Sequence, residues 1–584
     1  MICTIDRFRK YINENKSFSG LRNRGKVNKP PFPIFRKGVG VLGKKSCMLT
    51  AGFLLLLLHT TSGEDLTVYF SLDGTFELAT GILDSESGAA WGIFKDDLLE
   101  TGWGELNIRT SSNFEDHVQA RSAGIVEGYL TAKHITNTVK NLIPSAFKGA
   151  DRMPDAVQDF MNRQENWTDH MVASNSDPFF WHVGLIRSQY EGLVFGFHQS
   201  SETPLPRWAF QMLNGLGDLF DIMPAVMPEH RVEWSKLKQQ EAEVLHSRSG
   251  HCSGFVKLVS HDLFFSHSSW FTFSNSNRIF KHYWLDFQNS AAKGISFSSY
   301  PGFLNSLDDF YMLSSGLSWI QTTNTVLDHS VYSTVSPESL LAWQRVRVAS
   351  ALATSGADWY NTFKRHPSGT YANQYTIVDL NKFTPHQTSM KNGTIWVVEE
   401  MPGLVVGQDQ SMLLQSQGYW PSYNVPFYPE IYKRSGYPAM VEKFGSYWTY
   451  HDAPRAKIFR RDHSEVHDLS TLKTLMRYNN YTTDPLSFDG NVQNPTYAIC
   501  ARGDFQGSTS GCYDTKISSF AIGGNERVAH IVNGPTSTAS GGSLPAFAWS
   551  KFQNVTHVGL PPIYDFPFIT TKPKLVDDGV QEIL

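Results

Sequence analysis

Residues 247–258 read Ser-Arg-Ser-Gly-His-Cys-Ser-Gly-Phe-Val-Lys-Leu, and the character of the chain changes at Cys252. Small and polar residues precede the cysteine, and an apolar run that is typical of a β-strand follows it. A turn at Ser260-His261-Asp262 and a second strand-like run from Leu263 to Trp270 come next. A thiol at such a junction is either an ordinary buried cysteine or a nucleophile that chain cleavage exposes.

The composition indicates a globular protein with an unusual start. The 584 residues are too many for one small core, and 41% of them are hydrophobic against 18% charged. Residues 1–46 contain 12 Lys or Arg and 2 Asp or Glu, whereas the remaining residues contain 39 and 53. A basic arm of this kind also occurs in nucleic-acid-binding proteins.

The sequence after the basic arm favours a different interpretation. An uncharged run from Cys47 to Leu58 includes five consecutive leucines, and the small residues Thr61-Ser62-Gly63 follow. Basic, apolar and small-residue regions in this order are the pattern of a secretory signal. We therefore predict a leader over residues 1–63 that is cleaved near Gly63, with a retained signal-anchor as the alternative, and no nucleic-acid partner.

Glycosylation sequons and cysteines fit an extracytoplasmic chain. The candidate glycosylated asparagines are Asn166, Asn392, Asn480 and Asn554. Cys500 and Cys512 flank a loop with several glycines, and we predict that they form a disulfide. Cys252 is then left without a partner, and a lone thiol in an oxidising compartment is either deeply buried or kept for chemistry.

Strand and helix patterns come in blocks along the chain. Helical spacing prevails from about Ile125 to Val226, and strand patterns dominate after Cys252. Between these blocks, the segment from Glu229 to His251 is rich in charged and polar residues and predicts an exposed, protease-accessible linker. Because βαβ alternation is rare, the pattern favours an α+β fold with antiparallel sheets over a doubly wound fold.

Several common catalytic motifs are missing from the sequence. The nearest approach to a G-x-S-x-G elbow, Gly507–Gly511, has threonine at its centre, which weighs against an α/β-hydrolase lipase. H-E-x-x-H and C-x-x-C do not occur, so we predict neither a metal site nor a cofactor. Arg502-Gly503-Asp504 matches the tripeptide of integrin ligands, which is a weak indication of adhesion.

Cys252 remains as the candidate nucleophile. A thiol nucleophile needs a base and hydrogen-bond donors for the developing oxyanion. If Cys252 is the first residue of a chain, its α-amino group, with an ordinary pKa of about 7.7–8.0, can serve as that base. The predicted cleavage site is therefore the bond between His251 and Cys252, where the thiol attacks the preceding carbonyl and water resolves the acyl intermediate.

Motifs along most of the chain resemble the phospholipase B-like family. They include Cys252-Ser-Gly-Phe-Val-Lys-Leu, His267-Ser-Ser-Trp270, Asp308-Asp-Phe-Tyr311, Ser422-Tyr-Asn-Val-Pro426, Pro454-Arg-Ala-Lys-Ile-Phe-Arg-Arg461 and Cys512-Tyr-Asp-Thr-Lys516. The resemblance implies an N-terminal nucleophile hydrolase with a four-layer αββα sandwich, secreted or lysosomal. It implies self-cleavage into residues 64–251 and 252–584, which stay together as one composite domain. The implied partner is an acylated lipid or acyl-amide substrate, met at a membrane only transiently, and the oligomeric state stays open.

The same resemblance implies roles for five further residues. His267, in the H-x-x-W motif, belongs near the nucleophile, and Trp270 and Thr323 belong to the substrate pocket. Asn424 is a candidate oxyanion donor, because a side-chain amide can serve that purpose. Arg455 is a charge partner that favours the thiolate and orients polar substrate groups. For each residue the alternative is structural: a satisfied histidine, core packing, loop hydrogen bonding or a surface arginine.

Three hypotheses about function follow. The leading one is a self-cleaving acyl hydrolase that acts on ester or amide bonds, although His251 stands where family members carry a small residue, which we expect to affect cleavage efficiency. The second is a catalytically weak secreted glycoprotein that binds or signals on the same fold. A papain-like protease is less favoured, because His267 follows Cys252 by only 15 residues.

Overall fold

The computed structural model describes residues 64–147, 149–248, 251–308, 310–524, 526–576 and 579–580. The predicted leader, residues 1–63, lies outside the described residues and stays a prediction. None of the helices in the described ranges is long and apolar enough to cross a membrane. Within the same ranges, no group of His, Cys, Asp or Glu side chains has the arrangement of a metal site.

The described residues form helices and strands that we number in chain order. The α-helices are α1 (Leu98–Thr101), α2 (Asp116–Leu130), α3 (Ala132–Ala146), α4 (Asp155–Ser174), α5 (Pro178–Ser200), α6 (Arg207–Val226), α7 (Gln239–Arg248), α8 (Ala342–Leu352), α9 (Gly356–Phe363), α10 (Ser411–Gln417), α11 (Pro429–Arg434), α12 (Tyr437–Phe444), α13 (Pro454–Asp462), α14 (Leu469–Met476) and α15 (Phe520–Gly523). The longer strands are β1 (Glu64–Phe70), β2 (Phe76–Thr80), β3 (Ala90–Lys95), β4 (Trp103–Thr110), β5 (His251–Leu258), β6 (Leu263–Thr272), β7 (Arg278–Trp284), β8 (Gly294–Ser299), β9 (Phe310–Leu313), β10 (Leu317–Thr323), β11 (Asn373–Asp379), β12 (Ile395–Met401), β13 (Leu404–Asp409) and β14 (Tyr419–Ser422). The remaining strands are β15 (Phe488–Asp489), β16 (Val492–Gln493), β17 (Ser510–Cys512), β18 (Asp514–Ser519), β19 (Ala529–Asn533), β20 (Phe547–Ala548), β21 (Ile563–Tyr564), β22 (Ile569–Thr571), β23 (Leu575–Val576) and β24 (Gly579–Val580).

Two large sheets organise the chain. The larger has eleven strands in the order β13-β12-β11-β10-β9-β8-β7-β4-β3-β1-β2, and the smaller has the order β14-β5-β6-β18-β19-β22, with β17 also paired to β6. In the larger sheet β4 and β7 are parallel, and its other neighbours are antiparallel. The smaller sheet is antiparallel throughout. The expected α+β class with antiparallel sheets is confirmed.

The two sheets pack face to face with helices outside them. Val256 and Phe265 of the smaller sheet share an apolar core with Phe310 and Ile320 of the larger sheet. Helices α2, α5, α8 and α9 share a second core with the outer face of the larger sheet. Helices α12, α13 and α14 share a third core with Phe255, which points to the opposite side of β5 from Val256. This order of layers is compatible with the αββα sandwich that the family resemblance implies.

Residues 229–246 of the predicted linker fold against the molecule on one side. The linker contains α7, and Trp234 and His246 are buried in it. The ring of His246 lies 4.5 Å from that of Trp448, which anchors the inner face of α7. Many of its described residues, such as Glu229, Lys236 and Gln240, are exposed, but one face of the segment is buried. The buried face is built largely from polar residue types, which the sequence pattern does not distinguish from a solvated helix.

Glycines allow two long helices to touch. A Cβ atom at Gly128 of α2 would lie 2.1 Å from the carbonyl oxygen of Leu193 in α5, and one at Gly124 would lie 1.9 Å from that of Gln189. Both atoms that would be hit belong to the helix backbone, which cannot move aside as a side chain can. The packing of α2 against α5 therefore requires residues without a side chain at these positions.

We expect Gly128→Ala to lower the free energy of unfolding by about 1–3 kcal/mol, as overpacking of a closed core does. In an unconstrained helix the same change would be favourable by up to about 1 kcal/mol. Gly215→Ala in α6 is the matched control, because the nearest atom to its new Cβ is the flexible Met161 Cε at 3.0 Å. Urea denaturation of both variants measures the difference, and equal stability of the two would contradict the close contact.

Candidate active site

The β5–β6 hairpin sets which side chains share a face with Cys252. Cys252 stands directly opposite Ser269, and Gly254 stands opposite His267. Because opposed residues, and alternate residues along a strand, point the same way, Cys252, Ser269 and His267 share one face. Val256 lies on that face too and belongs to the core between the two sheets. The thiol therefore lies on the inner face of the smaller sheet.

The register continues into the neighbouring strands on both sides. Ser422, the last residue of β14, stands opposite Gly254, so Asn424 comes beside Cys252. On the other side, the backbone nitrogen of Ser269 donates to Asp514 Oδ1 at 3.0 Å. Asn424, Cys252, Ser269 and Asp514 thus form a polar row across the sheet.

A clamp of two side chains holds the backbone of Cys252. The nitrogen of Cys252 donates to Asn424 Oδ1 at 3.1 Å, and its carbonyl oxygen accepts from Arg455 Nη1 at 2.5 Å. Arg455 Nη2 also donates to Asn424 Oδ1, at 2.8 Å. Asn424 Nδ2 donates to the Thr323 carbonyl at 2.5 Å. In this uncleaved chain, the amide predicted as an oxyanion donor therefore holds the nitrogen of Cys252 through its oxygen and uses its NH₂ group on Thr323.

Arg455 is buried, so the alternative of a surface arginine does not apply. It lies in the first turn of α13, after Pro454, and its guanidinium stands 4.3 Å above the ring centre of Trp270. Burial lowers the pKa of Arg455 to about 10, which still leaves a cation at neutral pH. Arg455 therefore places a fixed positive charge beside the backbone of Cys252.

Trp270 connects Arg455 to the disulfide. Cys500 and Cys512 form the predicted bond, and both share a small buried cluster with Trp270. Cys512 stands opposite Trp270 where β17 pairs with β6, and Trp270 Nε1 donates to the Ile499 carbonyl at 3.2 Å. The disulfide thus holds in place the indole ring against which Arg455 packs.

Two titratable side chains on the inner face are neutral in the uncleaved chain. Burial raises the pKa of the Cys252 thiol to about 12. Burial also lowers the pKa of His267 well below its ordinary value, and the charge of Lys516 adds to the effect. Lys516 Nζ donates to His267 Nδ1 at 3.0 Å, so that ring nitrogen is not free to take a proton. The structure thus brings His267 to the face of Cys252, as predicted, with its Nδ1 atom already engaged.

A cluster of four buried charges lies behind Ser269. Arg278 Nη1 and Nη2 donate to the two carboxylate oxygens of Asp308 at 3.0 and 2.9 Å. Lys516 Nζ donates to Asp308 Oδ2 at 2.6 Å and to Asp514 Oδ1 at 2.8 Å. Burial works against ionisation of Asp308, but Arg278 and Lys516 outweigh it and hold the pKa of Asp308 well below its usual range. We call these four residues the charge cluster.

Sequence reasoning did not assign roles to the charge cluster. Asp308 and Lys516 stood within motifs that carried the family resemblance. Lys516 lies on β18 of the smaller sheet and Asp308 just before β9 of the larger sheet, and neither motif contains the packing that brings them together. Charged residues within strand-like runs were the signal by which the sequence could have indicated this cluster. Ser269 links the cluster to the row of Cys252, because its Oγ donates to Asp308 Oδ2 at 3.0 Å and accepts from Lys516 at 2.6 Å.

A cavity of about 230 Å³ begins beside the clamp. Thr323, whose carbonyl binds Asn424, is one of its lining residues, and its role in a substrate pocket stays a prediction. Gly254 brings β5 close to the same end of β10, since a Cβ at Gly254 would lie 3.3 Å from Thr322 Cγ2. In the uncleaved chain, Cys252 itself does not line this cavity.

The remaining predicted surface sites are the glycosylation sequons and the integrin-like tripeptide. Among the candidate glycosylated asparagines, Asn166, Asn392 and Asn554 are exposed and Asn480 is half-buried, and their modification stays a prediction. Arg502 is buried and binds Asp504 through two hydrogen bonds of 2.7 Å. The integrin-like tripeptide is therefore folded onto itself instead of being displayed to a partner.

Comparison with known proteins finds relatives over most of the chain. A family model described as phospholipase B matches residues 90–571. The chain is 40% identical to phospholipase-B 81 of Drysdalia coronoides over 544 residues, which cover 90% of this chain and 96% of the relative. It is 39% identical to phospholipase B-like 1 of Rattus norvegicus over 532 residues, covering 88% and 94%, and 40% identical to phospholipase B-like 1 of Homo sapiens over 507 residues, covering 84% and 88%.

The chain belongs to the phospholipase B family. The matched residues extend from the start of β3 to the end of β22. They therefore include the hairpin with Cys252, the clamp, the disulfide and the charge cluster of this family member.

We expect Lys516→Met to lower the free energy of unfolding by about 3–5 kcal/mol, because it leaves two buried carboxylates with Arg278 alone. Lys236→Met is the control, because Lys236 forms its ion pair with Glu233 at the surface, where the loss should stay within about 1 kcal/mol. Chemical denaturation at neutral pH measures both values. A loss for Lys516→Met as small as that of the control would contradict the buried ion pairs of the cluster.

The buried carboxyl of Asp221 predicts a pH dependence of stability. Burial raises its pKa to about 6, and the charge of nearby Asp218 adds to this, so the folded chain binds a proton more tightly than the unfolded chain does. The proton therefore stabilises the folded chain by about 3 kcal/mol in acid, and this stabilisation is lost as the pH rises from about 4 through about 6.

Asp221→Asn should therefore flatten the fall in stability between about pH 4 and pH 7. Asp177→Asn is the contrasting variant, because the Phe180 amide and Arg365 outweigh burial and lower the pKa of Asp177. Thermal unfolding across this pH range measures both, and an unchanged slope in Asp221→Asn would disprove the assignment.

Proposed function

We propose that this phospholipase B family member is an acyl hydrolase whose nucleophile, Cys252, is freed by self-cleavage of the His251–Cys252 bond. The observation that carries the proposal is the clamp, which fixes the nitrogen and the carbonyl of this one cysteine through Asn424 and Arg455. Membership of the family supports hydrolysis of acyl esters. The order of the layers supports the fold of an N-terminal nucleophile hydrolase.

In the proposed cleavage, the acyl group of His251 moves from nitrogen to sulfur. Cys252 Sγ attacks the carbonyl carbon of His251, the carbon–nitrogen bond breaks, and the nitrogen takes the proton of the thiol. Water then hydrolyses the thioester, which leaves a carboxylate on His251 and a free thiol on Cys252. Asn424 Oδ1 holds the departing nitrogen in place during the first step.

In the proposed turnover, the new α-amino group acts as the base. Its pKa of about 7.7–8.0 in an ordinary setting suits proton transfer near neutral pH. The amine takes the thiol proton, the thiolate attacks the acyl carbonyl, and the leaving alcohol or amine collects the proton. Water, deprotonated by the same amine, hydrolyses the thioester and releases the fatty acid. Arg455 supports the thiolate by its charge, which is the role that the family resemblance implies for it.

The two fragments of the proposed cleavage would remain one body. Strand β4 lies in residues 64–251 and pairs in parallel with β7 of residues 252–584. The larger sheet therefore runs through both fragments, and separating them would expose its core. This pairing supports a composite domain that survives the cut.

The proposed location is the lumen of the secretory pathway or the lysosome. Disulfides persist in oxidising compartments, and the bond between Cys500 and Cys512 supports such a location. Three of the candidate glycosylated asparagines are exposed, which also fits. The leader pattern of residues 1–63 supports entry into this pathway.

We expect a purified large fragment that begins at Cys252. N-terminal sequencing after expression in a secretory host tests this, with Cys252→Ala as a variant that stays uncleaved and Cys252→Ser as one that keeps a weaker nucleophile. A fragment that begins elsewhere, or cleavage of Cys252→Ala at the same bond, would exclude self-cleavage by this thiol.

The same preparations test the activity. We expect the cleaved wild type to hydrolyse lysophospholipids or acyl-amides, and Cys252→Ala to show no hydrolysis above background. If neither class of substrate is turned over by a cleaved protein, the second hypothesis, a secreted glycoprotein that binds or signals, gains support. Its specific basis is the buried and neutral thiol of the uncleaved chain.

A further inference from the structure

The cavity beside the clamp is apolar along most of its length. Leu219 and Phe220 of α6 form one side, and Val232 and Trp234 of the following segment form another. The ring of Phe220 also lies 5.5 Å from that of Phe271, the residue after Trp270 on β6. One side of the cavity thus packs through Phe220 against β6, and Thr323 in its lining binds Asn424 of the clamp.

The charged group in the wall is already satisfied. Asp221 Oδ1 accepts from the Tyr332 hydroxyl at 3.0 Å, and Asp221 Oδ2 accepts from the Ala372 nitrogen at 3.1 Å. Burial raises the pKa of Asp221 to about 6, so in acid this carboxyl is protonated and adds no charge to the cavity. The lining that the structure describes contains His230 and His329 but neither Lys nor Arg, so it lacks the permanent cations that usually bind a phosphate group.

One end of the cavity differs from the remainder. Thr323 and Asn324 lie there, next to the clamp. The side chain of Asn324 is buried and interacts with the buried carboxyl of Glu399, where this contact works against the rise in pKa that burial causes. Thr323 and Asn324 therefore make this end of the cavity polar, in contrast to its apolar sides.

We propose that this cavity is the acyl-chain pocket of the hydrolase proposed above. The carbonyl end of a fatty-acyl substrate lies at Thr323 and Asn324, and its hydrocarbon chain extends between α6 and the segment that holds Val232 and Trp234. The inference rests on the proposed function for its substrate class. It adds that the wall from the N-terminal fragment, and not the fragment that carries Cys252, sets the acyl chain length.

The physical basis is the match between an amphiphilic ligand and a two-part cavity. Apolar cavities of about 150 Å³ stay dry and bind apolar molecules, and this one is larger. Each methylene that leaves water for such a pocket gains about 0.8 kcal/mol, so chain length should control affinity until the pocket is full. A longer chain must then displace the wall or remain in water.

Leu219→Ala and Leu213→Ala form a matched pair for the test. Both leucines are buried in α6, but only Leu219 lines the cavity, whereas Leu213 packs where the chain turns at Gly302. Hydrolysis is measured with lysophosphatidylcholines that differ only in the length of a saturated acyl chain. We expect Leu219→Ala to shift the optimum to longer chains, with roughly a 10-fold change in relative kcat/KM, mainly through KM. Leu213→Ala should keep the wild-type order of preference.

The outcomes separate this inference from the proposed function. If Cys252-dependent hydrolysis occurs but both leucine variants keep the wild-type preference, the pocket assignment is wrong and the proposed function stands. If no hydrolysis occurs at all, the proposed function fails, and calorimetric titration of uncleaved Cys252→Ala with a saturated fatty acid then tests the pocket alone. Binding that Leu219→Trp in the same background abolishes, and that Leu213→Ala preserves, supports the pocket. Absence of saturable binding, or equal binding by the Leu219→Trp and Leu213→Ala variants, overturns the pocket assignment.

Discussion

The two hydrogen bonds that Asn424 Oδ1 accepts, from Cys252 and from Arg455, join three stretches that are far apart in the sequence. These hydrogen bonds form because β14 ends two residues before Asn424. If the strand continued, its ladder with β5 would supply a backbone carbonyl at this place. Asn424 has a φ of +69°, a conformation that asparagine tolerates better than most residues, and its side-chain oxygen takes the place of that carbonyl. The nitrogen of Cys252 thus stays hydrogen-bonded although its neighbouring strand has stopped.

The charge cluster places an energetic cost where the two sheets meet. Buried ion pairs rarely stabilise a fold more than well-packed apolar residues of the same size would, because removing the ions from water offsets their attraction. Arg278, Asp308, Lys516 and Asp514 nevertheless satisfy one another with two charges of each sign. Their contacts reach Ser269 and His267 on the face of Cys252, so the cluster fixes the orientation of the groups around the thiol. Orientation near the nucleophile is a benefit that apolar packing cannot provide.

Local signals in the sequence predicted a good part of this architecture. The lone Cys252, the pairing of Cys500 with Cys512 and the antiparallel class follow from composition, spacing and the order of blocks. Strand β7 shows why other parts could not be predicted. It contains Arg278, Lys281 and His282, all buried, because their partners come from helices and strands elsewhere in the chain. A strand whose charged side chains are buried against distant partners has no alternation of apolar and polar residues to detect.

The site itself was predictable residue by residue but not as an arrangement. His267, Asn424 and Arg455 came from a family resemblance, and each lies near Cys252, yet their bonds depend on register between strands. A shift of one residue would turn Cys252 to the opposite face of the sheet. Register across β14, β5, β6 and β18 is a property of the whole core, and no short motif contains it.

The clamp and the burial of the thiol have a joint consequence for the proposed chemistry. In the uncleaved chain, the nitrogen of Cys252 is an amide, which has no basic lone pair, and the pKa of its thiol is about 12. In this state a foreign substrate meets a neutral thiol without an amine base, whereas the carbonyl of His251 adjoins the thiol in the chain. Cleavage would convert the amide into an amine that can still donate one hydrogen to Asn424 Oδ1 while its lone pair becomes available to the thiol. The same hydrogen bond would thus serve both states, and the bond that is cut would itself switch the base from absent to present.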